Sequence, residues 1–364
     1  MKRSLAITLI SLLLLVAVGG GLWLARGQLA LALMDRVMAR NLAADPFADL
    51  PDGLHVALCG AGSPMPDATR AGPCTAVIAG RRLFVVDAGT GASRNLTLMN
   101  LPPARIEAVL LSHFHSDHID GLGELLLQRW AGGSAAAPTP VYGPPGVETV
   151  LAGFAQAYSL DRGYRVAHHG PQVTPPAGYG ASAHMFQLPE GGTGLVILDE
   201  PDLKITTFRV DHDPVEPAVG YRFDYKGRSA VLSGDTTPSA AVEAQARGAD
   251  LLVHEALSID LVNRQRAAAE AAGRTNLAQI FADITDYHTT PEQAAQLARR
   301  AGVKFLLLNH IVPPLPIRAL EGPFLGEARS QFSGPLKVGR DGDLISLPTG
   351  SDEVRAGRRM SAQR

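Results

Sequence analysis

Apolar positions along the chain fall into two regimes, one continuous run and then many short ones. From Leu5 to Ala25 no charge interrupts the run, and a helix of that length, rising about 1.5 Å per residue, spans roughly 31 Å, close to a bilayer's hydrocarbon core. Gln28 to Asn41 keeps the spacing of an amphipathic helix that either lies along a membrane surface or continues the first. Asp45 to Asp52, with two prolines, reads as a linker. Beyond it, short apolar runs bounded by Gly, Pro, Asp and His predict strands at Leu54–Leu58, Thr75–Ala79, Leu83–Val86, Val109–Leu111, Val141–Tyr142, Leu203–Val210, Val219–Tyr225, Ser229–Ser233, Leu251–Val253 and Val303–Leu308. Helical spacing falls between them at Ser93–Leu98, Ile119–Leu127, Gly146–Tyr158, Ser258–Gly273 and Pro291–Ala301. Lys226-Gly227 reads as a hairpin turn. Strands and helices alternate in two similar halves, which predicts an α+β, four-layer sandwich with two sheets inside and helices outside. Leu160–Glu200 has little periodicity, and its His168, His169 and His184 stand among many Gly and Pro, as in a surface loop or a substrate-lining insertion.

These patterns divide the chain into an anchor at 1–27, a juxtamembrane helix and linker at 28–52, a globular domain at 53–348 and a polar tail at 349–364. Lys2 and Arg3 precede the apolar run, and no small-residue cleavage site is evident, so it reads as an uncleaved anchor, with a cleaved signal peptide as the alternative. The positive-inside rule then puts the N-terminus in the cytoplasm and the globular domain outside, in the periplasm of an envelope. A hydrophobic content of 46% over 364 residues is ample for a large core, and a net charge of −2 gives no general polyanion-binding signature. Two cysteines cannot build a disulfide framework; Cys59 and Cys74 flank the first loop and read as two buried thiols, with pairing open to them in an oxidising compartment. That loop, Cys59-Gly60-Ala61-Gly62-Ser63-Pro64, lacks the Gly-Lys-Ser/Thr of a phosphate loop, so its glycines are turn residues.

The chemistry centres on Val109–Gly123, VLLSHFHSDHIDGLG, where an apolar strand delivers His113, His115, Asp117 and His118 onto a short loop. His at i and i+2 can face one cation, and Asp117 with His118 can face a second. Later strands also end in ligand-type residues: His212 after Val210, Asp235 in Ser233-Gly234-Asp235-Thr236, His254-Glu255 after Val253, and His310 after Leu308, while His288 opens the helix at Pro291. Seven of the eleven histidines thus stand at such positions, more than a random scatter would place there.

The pattern His113-Phe114-His115-Ser116-Asp117-His118 resembles the metallo-β-lactamase superfamily, and SGDT (233–236), HEA (254–256), HTTPEQAAQLARRAGVK (288–304) and LLLNH (306–310) are similar to successive motifs of its tRNase Z and arylsulfatase-like group. The resemblance implies the four-layer αβ/βα sandwich of that superfamily and two zinc ions, with manganese or iron as alternatives. It implies that His113, His115 and His212 hold one ion, that Asp117, His118 and His310 hold the other, and that Asp235 bridges them. It further implies that Asp87 supports the metal loop without ligating. His254 is similar to the general acid, Glu255 is its partner, and His288 contacts the substrate's anionic group or shares in proton transfer. Two such cations acidify a bridging water to the attacking hydroxide, which Asp117 can also orient, and offset charge in the transition state.

The protruding basic arm that tRNase Z enzymes carry before SGDT is absent, since only Arg222–Leu232 fills that space. With the anchor, this predicts a membrane-anchored hydrolase of a small anionic ester, a phosphodiester or a sulfate ester. A tRNA 3′-end endoribonuclease is the alternative, RNA being the less favoured partner, and a non-catalytic, metal-stabilised, membrane-tethered scaffold or sensor is the alternative of another class. A homodimer is left open.

Overall fold

The computed structural model describes residues 2–189, 191 and 194–360 and divides into two compact units, Met1–Asp49 and Leu50–Arg364. In the first, one helix runs from Lys2 to Ala43, so the apolar run and the amphipathic stretch are a single element. Ile10–Arg40 is long and apolar enough to cross a membrane. A signal sequence passes the same test, so this helix by itself assigns no compartment to the second unit.

The second unit is built on strands β1 (Gly53–Gly60), β2 (Cys74–Ala79), β3 (Arg82–Val86), β4 (Ile106–Leu110), β5 (Thr139–Gly143), β6 (Ala181–Met185), β7 (Leu195–Asp199), β8 (Leu203–Val210), β9 (Ala218–Tyr225), β10 (Arg228–Leu232), β11 (Leu251–Leu257), β12 (Phe305–Val312), β13 (Leu336–Val338), β14 (Asp343–Pro348) and β15 (Arg355–Arg358). Among the described residues they form two mixed sheets, ordered β15-β14-β1-β2-β3-β4-β5-β6 and β13-β12-β11-β10-β9-β8-β7. Helices cover the outer faces, which gives the expected metallo-β-lactamase sandwich.

Strand parity explains the layering. Leu203, Ile205, Val219, Tyr221, Phe223, Leu251, Val253, Phe305 and Leu307 point between the sheets, where they meet Leu54, Val56, Val77, Phe84 and Leu110. Their neighbours Val231, Leu252, Leu306 and Leu308 point outward and pack on Val242, Ala294, Leu297 and Ala298 of the helices Ala240–Ala246 and Pro291–Ala301. The latter helix opens with a capping box on Thr290 and Gln293 and with Pro291 in its first turn. Between β9 and β10, Lys226 and Gly227 both take positive φ, 45° and 81°, as a two-residue turn of this hand requires.

The sheet edges depart from the sequence reading. β6 and β7 emerge from the aperiodic stretch 160–200 and are edge strands, β6 of the first sheet and β7 of the second, and the expected polar tail contributes β15, an exposed strand paired with β14. An edge strand packs on one side only and shows little burial period.

Cys59 and Cys74 are joined as a disulfide, Cα to Cα 5.0 Å, which corrects the reading of two thiols. Strand pairing of β1 with β2 brings them together, with Gly60 opposite Cys74. The bridge closes a ring across a sequence separation of 15, a size for which loop-closure entropy gives about 3 kcal/mol. Urea unfolding in the presence of reductant is therefore expected to show stability lower by about that amount; coincident curves with and without reductant would show that the bridge adds nothing.

Candidate metal centre

The loop after β4 is held before its ligand-type side chains begin. Tyr221 Oη, buried between the sheets, donates to Leu111 O at 2.6 Å, and Val219 N donates to Ser112 O at 3.0 Å. Asp87, at the end of β3 with φ 59°, accepts Ser112 N at 2.8 Å, Ser112 Oγ at 2.8 Å and His118 Nδ1 at 2.9 Å. Asp87 thus fixes both the loop and the ring of His118, whose Nε2 is turned inward. A similar anchor fixes His212: its Nδ1 donates to Tyr287 O at 3.0 Å, leaving its Nε2 buried without a protein partner.

All seven residues expected as ligands come together. Four groups have their ligand atoms within 4.8 Å of one another: His113, His115 and His212; Asp117, His118 and His310; His113, His118 and Asp235; and Asp235, His288 and His310. Asp235 Oδ2 lies 3.1 Å from His310 Nε2, 3.2 Å from His118 Nε2 and 4.0 Å from His113 Nε2. Asp117 Oδ2 is 3.3 Å from His310 Nε2. The orphaned Nε2 of His212, the inward nitrogens and the carboxylates between them form a donor set suited to two metal ions.

Electrostatics makes two of the rings ready donors and surrounds another with the negative charge a cation would meet. Burial pushes the His113 imidazole well below its ordinary range and His212 to about 4, so both are neutral donors. Burial also opposes charge on His118, but the carboxylates of Asp235, Asp87 and Asp117 outweigh it and hold that ring well above the usual value. Burial likewise opposes ionisation of Asp235, and His310 and His118 outweigh it, keeping the carboxylate charged.

The residues expected to handle protons separate. Val253 and Glu255 face the inter-sheet side of β11 and line a cleft with Asp235, His118 and His310. His254 has the parity of Leu252, which packs outward on the helical layer. It is fully buried, donates Nδ1 to Glu255 O at 2.8 Å and belongs to none of the four groups. The general-acid role expected of His254 therefore meets a side chain aimed away from the cluster. His288 is placed instead beside Asp235 and His310, with its Nδ1 3.2 Å from Glu255 Oε1. That oxygen accepts Thr289 N at 2.8 Å and Thr236 N at 3.4 Å, while Oε2 is buried without a partner. Sequence reading missed Tyr287, whose carbonyl carries no side-chain signal.

Comparison with known proteins places this geometry. Residues 82–311, which include every residue of the four groups, match the beta-lactamase superfamily domain. Ribonuclease Z of Mycolicibacterium gilvum is 38% identical over 299 residues, 82% of this chain and 97% of the relative; ribonuclease Z of Mycobacterium bovis is 38% identical over 290 residues, 79% of this chain and 96% of the relative. Among solved structures, the metallo-beta-lactamase fold protein YhfI of Bacillus subtilis aligns with TM-score 0.58 at 20% identity, over 81% of this chain and all of the other. Human tRNase Z, short form, aligns with TM-score 0.57 at 22% identity, over 81% of this chain and 99% of the other; both likenesses speak to the fold.

These relatives correct two expectations. The reading of a membrane-anchored hydrolase of small phosphodiesters or sulfate esters yields to its alternative, because the sequence relatives that run along most of the chain are named ribonuclease Z. Placement of the catalytic domain in the periplasm goes with it, since it rested on one apolar N-terminal helix, which is weak evidence for a membrane span, and on the charges that flank it. A family match over more than half of the residues and relatives 38% identical along almost their whole length show that the chain belongs to the metallo-β-lactamase superfamily of metal-dependent hydrolases, on its ribonuclease Z branch.

Proposed function

We propose that the chain is a dinuclear zinc endoribonuclease of the ribonuclease Z type, cutting precursor tRNA at its 3′ end. The observation that carries this reading is the 38% identity along 97% of the length of a ribonuclease Z. His113, His115 and His212 would hold one ion, Asp117, His118 and His310 the other, with Asp235 adjoining both groups. Imidazole-rich donors with carboxylates favour zinc. The bound pair supplies an acidified water and positive charge at the scissile phosphate.

The chain's own residues do the rest. Asp87 and Tyr287 O orient the rings of His118 and His212, and Asp117 is set to orient the nucleophile. His288 donates a proton to the leaving ribose oxygen, and Glu255 serves as its proton store. Burial, then the charge on Asp235, pushes the Glu255 carboxyl well above the usual range, while burial lowers His288. Glu255 thus holds a proton near neutral pH, 3.2 Å from the ring nitrogen that would receive it.

The test compares the purified full chain on a precursor tRNA carrying a 3′ trailer and on 4-nitrophenyl sulfate. Cleavage at one position near the mature 3′ end, abolished by a chelator, with the sulfate untouched, is the expected result. Sulfate hydrolysis with intact RNA would overturn the reading.

A further inference from the structure

We infer that Asp341 is a positioning residue for the second ion-binding group, Asp117, His118 and His310, acting through the loop that the disulfide closes. The inference rests on the two-ion reading above and adds a residue to it. Asp341 follows β13, far along the chain from the loop, and is buried. Its Oδ1 accepts Ala61 N at 3.0 Å, and its Oδ2 accepts Ala71 N at 2.8 Å and Asn95 Nδ2 at 2.7 Å. Asn95 Nδ2 also donates to Cys59 O at 2.7 Å. One carboxylate therefore draws together both limbs of the loop between Cys59 and Cys74 and ties them to the helix Ala92–Leu98.

Each limb meets the backbone next to, or packed behind, a proposed ligand. On the first, Ala61 O accepts Ile311 N at 3.0 Å. Ile311 follows His310, which is the residue squeezed out of the β11–β12 ladder: Glu255 pairs with Asn309 and Ala256 with Ile311, leaving His310 as a bulge. His310 holds φ 45°, a region that a residue with a side chain keeps only when its surroundings impose it. The bond from Ile311 to Ala61 is such a constraint, and Asp341 holds Ala61. On the second limb, Gly72 N donates to Thr90 O at 3.0 Å and Gly89 N donates to Pro73 O at 2.9 Å. A Cβ on Gly72 would stand 3.1 Å from Asp117 O, and one on Gly89 2.2 Å from it, so this limb is packed backbone to backbone behind Asp117. His113 and His212 are fixed elsewhere, by Ser112 Oγ at 3.1 Å and by Tyr287 O. Loosening the loop should therefore affect one ion and spare the other.

The experiment is zinc titration of the full-length apo protein against a competing chelator, with bound metal counted after dialysis. In Asp341→Asn, one of the two ions should bind about 10- to 100-fold more weakly, the range seen when a partner of a ligand is removed, while the other keeps its affinity within about twofold of wild type on the same scale. Asn95→Ala removes a single donor to the carboxylate and should give a smaller loss at the same ion, which keeps the test alive should Asp341→Asn fail to fold. Val242→Ala, a truncation in the outer core, controls for general destabilisation and should leave both affinities alone. Wild-type affinity for both ions in Asp341→Asn or Asn95→Ala, or equal weakening of both ions, would overturn the inference. A wild-type protein that binds no zinc would instead overturn the two-ion reading beneath it.

Discussion

Asp235→Ala is expected to strip the protein of both metal ions and to abolish RNA cleavage. Its Oδ2 stands within 3.2 Å of His118 Nε2 and His310 Nε2 and 4.0 Å from His113 Nε2, so it adjoins both groups, whereas each histidine serves one ion of the proposed pair or its edge. Losing one group that stabilises transition-state charge typically costs about 10² to 10³ in rate. Losing two cations should exceed that, roughly 4 kcal/mol of barrier or more. The change also removes a negative charge that two bound cations would need close by, so added metal should restore the centre poorly. Elemental analysis should find close to two transition-metal ions per wild-type chain and none in Asp235→Ala, and His310→Ala should retain about one. An Asp235→Ala protein that keeps two ions, or that cleaves at the wild-type rate, would remove Asp235 from the centre.

The cluster was legible in the sequence for a physical reason. In this fold, strands deliver ligands at their ends, so apolar runs that stop at His113, His212 and His310 announce both the strand and the site. What the sequence could not announce is which of two neighbours faces inward. In His254-Glu255 both side chains are competent for proton transfer, and only the parity of β11, set by Leu252 packing outward and Val253 inward, separates them. Contacts spanning the whole chain were equally silent: Ala61 and Asp341 are 280 residues apart, and nothing in either segment refers to the other. The stretch 160–200 was opaque because it forms the exposed helix Ser159–His169 and strands at sheet edges, whose residues are only partly buried. The large apolar helix at the N-terminus illustrates the opposite hazard, since its composition is easily read while its destination is not a property of composition alone.

That separation of His254 from His288 gives a prediction with an internal control. A ribose alkoxide is a basic leaving group and needs a proton as the P–O bond breaks, whereas 4-nitrophenolate leaves with little help. General acid assistance is typically worth about 10² to 10⁴-fold, or roughly 3 to 5 kcal/mol. His288→Ala is therefore expected to slow precursor tRNA cleavage by that order while slowing hydrolysis of bis(4-nitrophenyl) phosphate far less, with two ions still bound. Glu255→Gln should act in the same direction, because it leaves His288 beside an amide that cannot exchange a proton. His254→Ala should behave differently. Burial holds that imidazole at about 4, so near neutral pH it is neutral with its one N–H given to Glu255 O, and its ring lies on the helical side of β11. Its loss should lower stability by about 1 to 3 kcal/mol, as an unpaired buried carbonyl and a small cavity would, and should shift both substrates' rates together. The decisive quantity is the ratio of the two rates, measured at matched metal content. If the ratio changes in His254→Ala and not in His288→Ala, the proton donor lies on the outward face of β11, and the Glu255–His288 pair does not carry the proton.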